Sequence, residues 1–270
     1  MRERFGPSYF YRCHIQYLGK DFFGFQRQTT LTSIQETIEK ALTQITQKTP
    51  CLVLGAGRTD TGVHALHQEC RLEIPVEIDP LKLLLSLNGI LPDSIRILNL
   101  KKTTIKFHPQ INVTSKEYHY YFHCSRQAMM PQLNQLVFHY PYDLDIMKMK
   151  MACQMLVGEH DFLEFSTKGS NVKSTVRTIF RAEIEELNGN FLNLNNEKNY
   201  YVFKVSGNGF LKQMIRLIMG TLLQIGRDKL TLQQLEATLN QGQALPFRLV
   251  VMPHGLHKAC VVYQNENNGQ

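Results

Sequence analysis

Residues 54–68 read LGAGRTDTGVHALHQ and place an acidic residue, Asp60, between two glycines, Gly57 and Gly62. Glycine lets the backbone turn sharply or approach a ligand closely, and Arg58 adds a positive charge just before the carboxylate. One interpretation is that Asp60 is a nucleophile or general base that a nearby guanidinium keeps ionised. The other is that Arg58 and Asp60 only organise a tight turn. The spacing alone leaves both interpretations open.

The same stretch lacks the features of two common phosphate-binding loops. GAGRTD begins like a dinucleotide fingerprint, but Asp60 stands where the third glycine would fall, and no GK followed by Ser or Thr is present. We therefore expect no nucleotide cofactor bound by either route.

A metal site is a further alternative, because His64, His67 and Cys70 are spaced three residues apart. Such a set would converge on zinc if the segment were helical. Gly62 and the β-favouring residues around it predict a strand instead, so we expect no metal here. A metal hydrolase remains a distant alternative.

Outward from this loop, the first half of the chain predicts strands at 8–18, 51–54, 68–74 and 95–100. A capping box of Ser33 and Glu36 opens a helix that continues to Ile45. Asp79 and Pro80 open a second helix, which we expect to run through Leu87 and to stop before Asn88 and Gly89.

The second half repeats this plan without visible sequence identity. It predicts strands at 113–124, 173–187, 200–206 and 258–263, a turn at Asn188 and Gly189, and helices at 144–156, 209–225 and 231–240. The pattern predicts an α+β fold of two similar α/β lobes, ferredoxin- or RRM-like, with a boundary near residue 107 (lobes 1–107 and 108–270). Their mainly antiparallel sheets are expected to join into one extended mixed sheet, flanked by helices and loops, with a central basic cleft.

Composition narrows the class of protein. Lys and Arg number 30 against 23 Asp and Glu, a net charge of +7, which favours a polyanionic partner without requiring one. The six cysteines form no CxxC pair and are typical of reduced thiols. The start of the chain has no signal-peptide core, and the most apolar helix candidate carries Lys212 and Arg216. We expect a soluble, cytoplasmic protein with no membrane segment.

Six motifs in order resemble the bacterial tRNA pseudouridine synthase A family, and the resemblance covers nearly the whole chain. GRTDTGVHA (57–65) is similar to the family signature, and YLGKDFFGFQRQ (17–28) with SIQETIEKAL (33–42) is similar to its opening strand, loop and helix. The others are FHPQINVTSKEYHYYF (107–122), GEHDFLEFS (158–166) with RTI (177–179), GNGFLKQMIRLIMG (207–220) and MPHGLHK (252–258).

The resemblance implies a cofactor-free isomerase that converts uridine to pseudouridine at positions 38–40 of the tRNA anticodon stem-loop. It implies a homodimer as well, and it requires neither metal nor nucleotide. Asp60 matches the catalytic aspartate, Tyr118 the tyrosine beside the target base, and Arg216 the basic residue paired with the catalytic carboxylate. The RNA- or substrate-binding residues are expected to be Arg58, which helps to extrude the base, with Thr59, Gln26, Arg27 and Lys116.

The periodicity of strands and helices predicts which neighbours share a face with Tyr118 and with Arg216. On the predicted strand 113–124, Tyr118, Tyr120 and Phe122 share one face, where Tyr118 could stack on a detached uracil. On the predicted helix 209–225, Lys212, Arg216 and Met219 share one face, so we expect Arg216 to have a carboxylate partner.

The chain also departs from the family pattern. Pro109 and Gln110 follow FH where the family usually has an arginine, which puts one RNA or sugar contact in doubt, and Phe25 stands where tryptophan is common. Two alternatives stay open: a pseudouridine synthase for other RNA uridines, and a noncatalytic RNA-binding or tRNA-folding protein on the same scaffold.

Overall fold

The computed structural model of the chain describes residues 8–47, 51–111, 113–167, 172–187 and 199–264. The predicted turn at Asn188 and Gly189 lies outside the described residues.

The described chain contains ten strands and five helices. The first seven are β1 (Tyr9–Tyr17), α1 (Ile34–Thr46), β2 (Leu52–Gly55), β3 (His64–Ile74), α2 (Pro80–Ile90), β4 (Ile95–Thr103) and β5 (Val113–Cys124). The remaining eight are β6 (Phe138–Tyr140), α3 (Ile146–Leu156), β7 (Gly158–Asp161), β8 (Val176–Glu186), β9 (Tyr200–Gly207), α4 (Met214–Gly226), α5 (Leu232–Gln241) and β10 (Leu256–Tyr263). Short 3₁₀ turns also occur, as at Leu163–Phe165.

The ten strands of the described residues form one mixed sheet in the order β4-β1-β3-β10-β5-β9-β8-β7, with β2 beside β3 and β6 beside β5. Strand β1 pairs antiparallel with both β3 and β4, and β9 with both β5 and β8. In contrast to these antiparallel pairs, β5 and the short strand β6 run parallel to each other. The predicted α+β class and the joined, mixed sheet are confirmed.

The chain divides into two compact units. One spans residues up to Thr114 and includes the chain from Lys258 onward, and the other is Ser115–His257. The sequence had indicated a boundary near residue 107 and assigned everything after it to the second lobe. The likeness between the lobes and the basic cleft stay predictions.

Within the first unit, helix α1 packs its apolar face on the sheet. Ser33 caps the helix by accepting a hydrogen bond from the Glu36 amide, and Ile34, Ile38 and Leu42 are fully buried. They belong to the same core as the inward-facing residues of β1, such as Ile15. Burying each such side chain contributes about 1.5–3 kcal/mol, so this core stabilises β1 and β3, and the loop that contains Asp60 leads directly into β3.

Two predicted helix limits are wrong. Helix α2 continues through Asn88 and Gly89 to Ile90, because the Asn88 amide exchanges two hydrogen bonds with the backbone of Ile97 on β4 (2.8 and 2.9 Å). Helix α4 begins only at Met214, since Gln213 adopts a left-handed conformation with φ of 61°. Lys212 therefore precedes the helix and does not share a helical face with Arg216.

Two short strands, β6 and β7, were not predicted. They have three and four residues, too few for an alternating pattern to be recognised. Among the described residues, no helix combines the length and hydrophobicity needed to span a membrane.

Candidate active site

Asp60 lies in the turn that joins β2 to β3. The Val63 amide donates a hydrogen bond to the Asp60 carbonyl at 3.2 Å, and Gly62, the third residue of this turn, has φ of 77°. A type II turn needs a positive φ at this position, which glycine adopts without strain. The Asp60 side chain is partly exposed. The glycine thus shapes the turn, and the aspartate is presented at its first position.

The loop is also fixed to the segment that follows β1. The Phe25 amide donates to the Thr59 carbonyl (3.2 Å), and the Gly62 amide donates to the Phe22 carbonyl (3.4 Å). Gly24 has φ of 84°, and a Cβ there would lie 2.6 Å from the Thr59 carbonyl oxygen. The two glycine-containing motifs, LGKDFFGF and GRTDTG, therefore depend on each other for their close approach.

Thr59 connects the loop to the core of the first unit. Its hydroxyl lies 2.8 Å from the phenol oxygen of Tyr17, and the residue is only 8% exposed. Because Thr59 is adjacent to Asp60, this hydrogen bond limits the positions that the aspartate backbone can take.

Three further polar side chains support the loop, and sequence reasoning had not identified this role for them. The Gln68 amide donates to the Gly57 carbonyl at 2.6 Å, and the buried Lys258 ammonium donates to the Gln68 side-chain oxygen. The Gln110 amide donates to the Gly55 carbonyl at 3.0 Å. These contacts join positions 11, 190 and 55 residues apart, so no local pattern could have indicated them. Gln110 thus holds the start of the loop.

The other predicted RNA-binding residues of the first unit lie at its surface. Arg58 and Gln26 are exposed. The Arg27 side chain is 52% exposed, and its guanidinium contacts the Glu39 carboxylate at 2.9 Å. Arg27 is thereby tied to helix α1, and its contact with RNA stays a prediction.

The spaced set of His64, His67 and Cys70 lies on strand β3, as the β-favouring context predicted. Successive side chains on a strand point to opposite faces, so His67 lies on the face opposite to the other two. His64 accepts a hydrogen bond from the Gly19 amide at 3.0 Å. Cys70 is hydrogen-bonded to Cys13, which together with burial raises the pKa of the Cys13 thiol. The three do not converge on one ion.

In the second unit, Tyr118 lies on β5 with its ring nearly buried. The ring makes an edge-to-face contact with the ring of Phe210, with the two centroids 5.3 Å apart. Asn208 fixes the chain before Phe210 through two hydrogen bonds to the backbone of Thr178. The Asn208 side-chain oxygen accepts from the Thr178 backbone N–H (3.0 Å), and the Asn208 backbone N–H donates to the Thr178 carbonyl (3.1 Å). The GNGF motif and the RTI motif thus act together to place Phe210 against Tyr118.

Lys116 lies two residues before Tyr118 and close to a second cation. Burial lowers the pKa of Lys116, and the charge of Arg177 lowers it further. The Arg177 guanidinium donates to the carbonyls of Ser174 (2.9 Å) and Val176 (2.6 Å). Two positive charges that influence each other in this way favour binding of an anion.

Arg216 lies in the first turn of α4 and is partly buried. Its Nε donates to the Val251 carbonyl at 2.7 Å, which orients the guanidinium. Tyr120 donates to the next carbonyl, that of Met252, at 2.8 Å. Burial raises the pKa of Tyr120 well above its usual value, although the Arg216 charge opposes this, so Tyr120 is a neutral donor.

The predicted residues form two groups. Asp60, Arg58, Thr59, Gln26 and Arg27 belong to the first unit, where the backbone contacts of Thr59 and Phe25 bring their segments together. The second group, Tyr118, Lys116 and Arg216, belongs to the second unit.

Comparison with known proteins agrees with the motifs. The family model described as "tRNA pseudouridine synthase" matches residues 14–110 and 152–264. A tRNA pseudouridine synthase A of Streptococcus gordonii is 36% identical over 94% of this chain and 98% of that protein. One of Streptococcus thermophilus is 38% identical over 94% of this chain and 99% of that protein.

Among solved structures, a Cbf5-Nop10-Gar1 complex is similar over 79% of this chain and 45% of that chain, with 12% identity and a TM-score of 0.33, too low to support an argument about the fold. The family match includes the first group of site residues and Arg216, while Lys116 and Tyr118 fall between its two matched ranges. Both relatives align over 94% of the chain. The chain therefore belongs to the tRNA pseudouridine synthase A family and is an isomerase that modifies tRNA.

Proposed function

We propose that this enzyme isomerises uridine at positions 38–40 of the tRNA anticodon stem-loop, with Asp60 as the nucleophile or base. The target uridine leaves the helical stack, because its glycosidic bond cannot be reached inside the stem. The C1′–N1 bond then breaks, the uracil turns over, a C1′–C5 bond forms, and the hydrogen on C5 is released to solvent while N1 gains a proton. The reaction loses no group, so it can proceed with the carboxylate as the reacting side chain.

The observation that carries this proposal is the way the chain holds Asp60. A glycine turn, two backbone hydrogen bonds to the preceding segment and the Tyr17–Thr59 contact fix the loop, while the carboxylate itself is partly exposed. A turn with only a structural role needs no such support from a buried tyrosine. A reacting group does, because small displacements are costly in rate.

Two residues of the second unit, Tyr118 and Arg216, have roles in the proposed reaction. Tyr118, held by Phe210, stacks on the detached uracil, and such stacking contributes roughly 1–3 kcal/mol. Arg216, whose guanidinium is oriented by its hydrogen bond to the Val251 carbonyl, pairs with the catalytic carboxylate. Arg58 fills the position that the flipped base leaves.

The remaining predicted contacts serve RNA binding. The closeness of Lys116 to Arg177 supports a phosphate contact there, because a phosphate relieves the repulsion between the two cations. Thr59, Gln26 and Arg27 are proposed to contact the substrate near the loop, and the active form is proposed to be a homodimer. Light scattering of the purified protein tests the dimer.

The deciding experiment follows tritium release from tRNA labelled at uridine C5, under single turnover with saturating enzyme. Asp60→Ala and Asp60→Asn should both be inactive and should bind tRNA nearly as well as wild type, because binding is spread over many phosphate contacts. Asp93→Asn is the matched control, since that exposed carboxylate pairs only with Arg96 among the described residues. Turnover by Asp60→Ala would overturn the mechanism. Mapping of pseudouridine in the product separates positions 38–40 from other uridines.

A further inference from the structure

Two histidines and a glutamate lie together on the outer face of β1 and β3, away from the loop that carries Asp60. His14 and Glu69 are direct cross-strand partners, and His67 precedes Glu69 by two positions on the same face. Their neighbours Cys13 and Cys70 point to the opposite face, into the core. The antiparallel register thus brings three metal-binding side chains together from two strands.

Their spacing is close to that of ligands around one ion. The rings of His14 and His67 are stacked with centroids 3.8 Å apart, and His67 Nε2 lies 2.9 Å from Glu69 Oε1. One ligand atom from each of the three lies within 4.8 Å of the others, and among the described residues this is the only such group. Ligand atoms of a tetrahedral zinc ion are roughly 3.3 Å apart, so the three side chains would have to rotate to close around an ion.

The surroundings resemble the outer shell of a metal site. Metal-binding histidines commonly use their second ring nitrogen to donate to a backbone carbonyl, and His14 Nε2 is 3.2 Å from the Leu66 carbonyl oxygen. The Glu69 carboxylate is nearly buried, and its Oε2 accepts from Arg12 Nε at 2.6 Å. That contact orients the carboxylate and leaves Oε1 on the side of His67.

The charged groups around the three side chains have opposing effects on the binding of a divalent cation. The Glu69 carboxylate supplies a negative charge to the group, which favours a cation. The positive charge of Arg12 opposes the binding of a metal cation nearby. The Arg12 guanidinium also packs on the rings of Phe107 (4.8 Å) and Tyr263 (5.0 Å), which interact favourably with its charge. We therefore expect moderate rather than very tight binding.

We propose that His14, His67 and Glu69 form a binding site for one divalent late first-row transition ion, for which Zn²⁺ is the best match. Two imidazoles and a carboxylate are an established zinc donor set, with water in the remaining position. The ion would link β1 to β3 and stabilise the strands next to the Asp60 loop. It has no part in the isomerisation, so the proposal does not depend on the mechanism given above.

The test uses the full-length protein after treatment with a chelator. Calorimetric titration with ZnCl₂ should show one site per chain, and His14→Gln and His67→Gln should each weaken it at least about tenfold. Zn²⁺ should raise the Tm of wild type and not of these variants. The absorption bands of bound Co²⁺ should be lost in both.

His119→Gln is the matched control. His119 also contacts a glutamate two residues away on a strand, with 2.7 Å to Glu117, but no second histidine completes a metal-binding group there among the described residues. It should bind Zn²⁺ like wild type. Circular dichroism without metal must first show that all variants are folded. Glu69→Gln would also remove the ion pair with Arg12, so the histidine variants decide. Absence of one-to-one binding in wild type, or binding that both histidine variants retain, would overturn the proposal.

Discussion

At the scale of single residues, the hydroxyl of Thr59 is the most informative contact of the candidate site. It joins the loop that contains Asp60 to Tyr17 in the core at 2.8 Å. This contact alone predicts an effect on the rate, whether or not Thr59 also contacts the substrate. We predict that Thr59→Val lowers the single-turnover rate roughly 2–10-fold, the equivalent of one hydrogen bond of about 0.5–1.5 kcal/mol. The substitution keeps the shape and removes the hydroxyl.

Thr59→Ser is the control for this prediction, because it retains the hydroxyl and should keep most of the rate. Tyr17→Phe should reproduce the loss, and the double variant should be no worse than either single one. If the effects of the two single variants were instead additive, the contact between the two hydroxyls would not be what positions Asp60.

Arg216 gives a second prediction at this scale. Its Nε donates to the Val251 carbonyl, and lysine has no atom that can hold this bond and still present a planar fork to a carboxylate. Arg216→Lys should therefore lower kcat more than it changes tRNA affinity. A rate equal to that of wild type in a rapid-quench assay would argue against an oriented guanidinium.

At the scale of elements, the GNGF segment after β9 supports Tyr118 through Phe210. Phe210→Ala removes a contact between aromatic rings that contributes about 0.5–1.5 kcal/mol beyond its buried area. We predict a several-fold lower rate at saturating enzyme with nearly unchanged tRNA affinity. Phe180→Ala, at a phenylalanine that is 50% exposed on β8, is the control and should be close to wild type. Equal losses in both variants would point to general destabilisation.

Elements were predictable where local chemistry determines their ends. Helix α5 begins at a capping box of Thr231 and Gln234 and ends at Gly242 in the left-handed region, so both of its ends lie within one residue of the predicted helix 231–240. Helix α2 passes through Gly89 because Asn88 is bonded to a distant strand, which the sequence does not reveal. The start of α4 depends on the left-handed backbone of Gln213, a conformation that glutamine seldom adopts.

In the candidate site, too, features set by the local sequence could be predicted, and features set by distant contacts could not. The local, glycine-rich motif drew attention to Asp60, and Gly62 adopts the positive φ that this motif requires. The spacing left its role open, and only the family resemblance predicted a catalytic one. Its supports Gln68 and Lys258 were missed because they are joined only through the sheet. Tyr118 and Arg216 rested on family resemblance, and their proposed roles await the variants described above.

At the scale of the whole molecule, the net charge of +7 bears on the binding of a polyanion. Each phosphate contact releases counterions, so we predict that tRNA affinity falls steeply and log-linearly as salt rises from about 50 to 200 mM. Filter binding at constant pH measures the slope. An affinity independent of salt would mean that phosphate contacts do not dominate.

The last prediction concerns the pH dependence of tRNA binding and is based on Lys116. Burial, followed by the charge of Arg177, lowers the pKa of this lysine, so it loses its proton at a lower pH than an ordinary lysine does. If the charged form contacts a phosphate, tRNA affinity should fall as pH rises above the histidine range, at constant ionic strength. The free energy of unfolding should change in the opposite direction, because a group whose pKa is lowered by folding destabilises the folded chain while it is protonated. Lys116→Arg stays charged throughout and should remove the decline in affinity, whereas the same change at the exposed Lys173 should leave it in place. A decline that persists in Lys116→Arg would assign the pH dependence to another group.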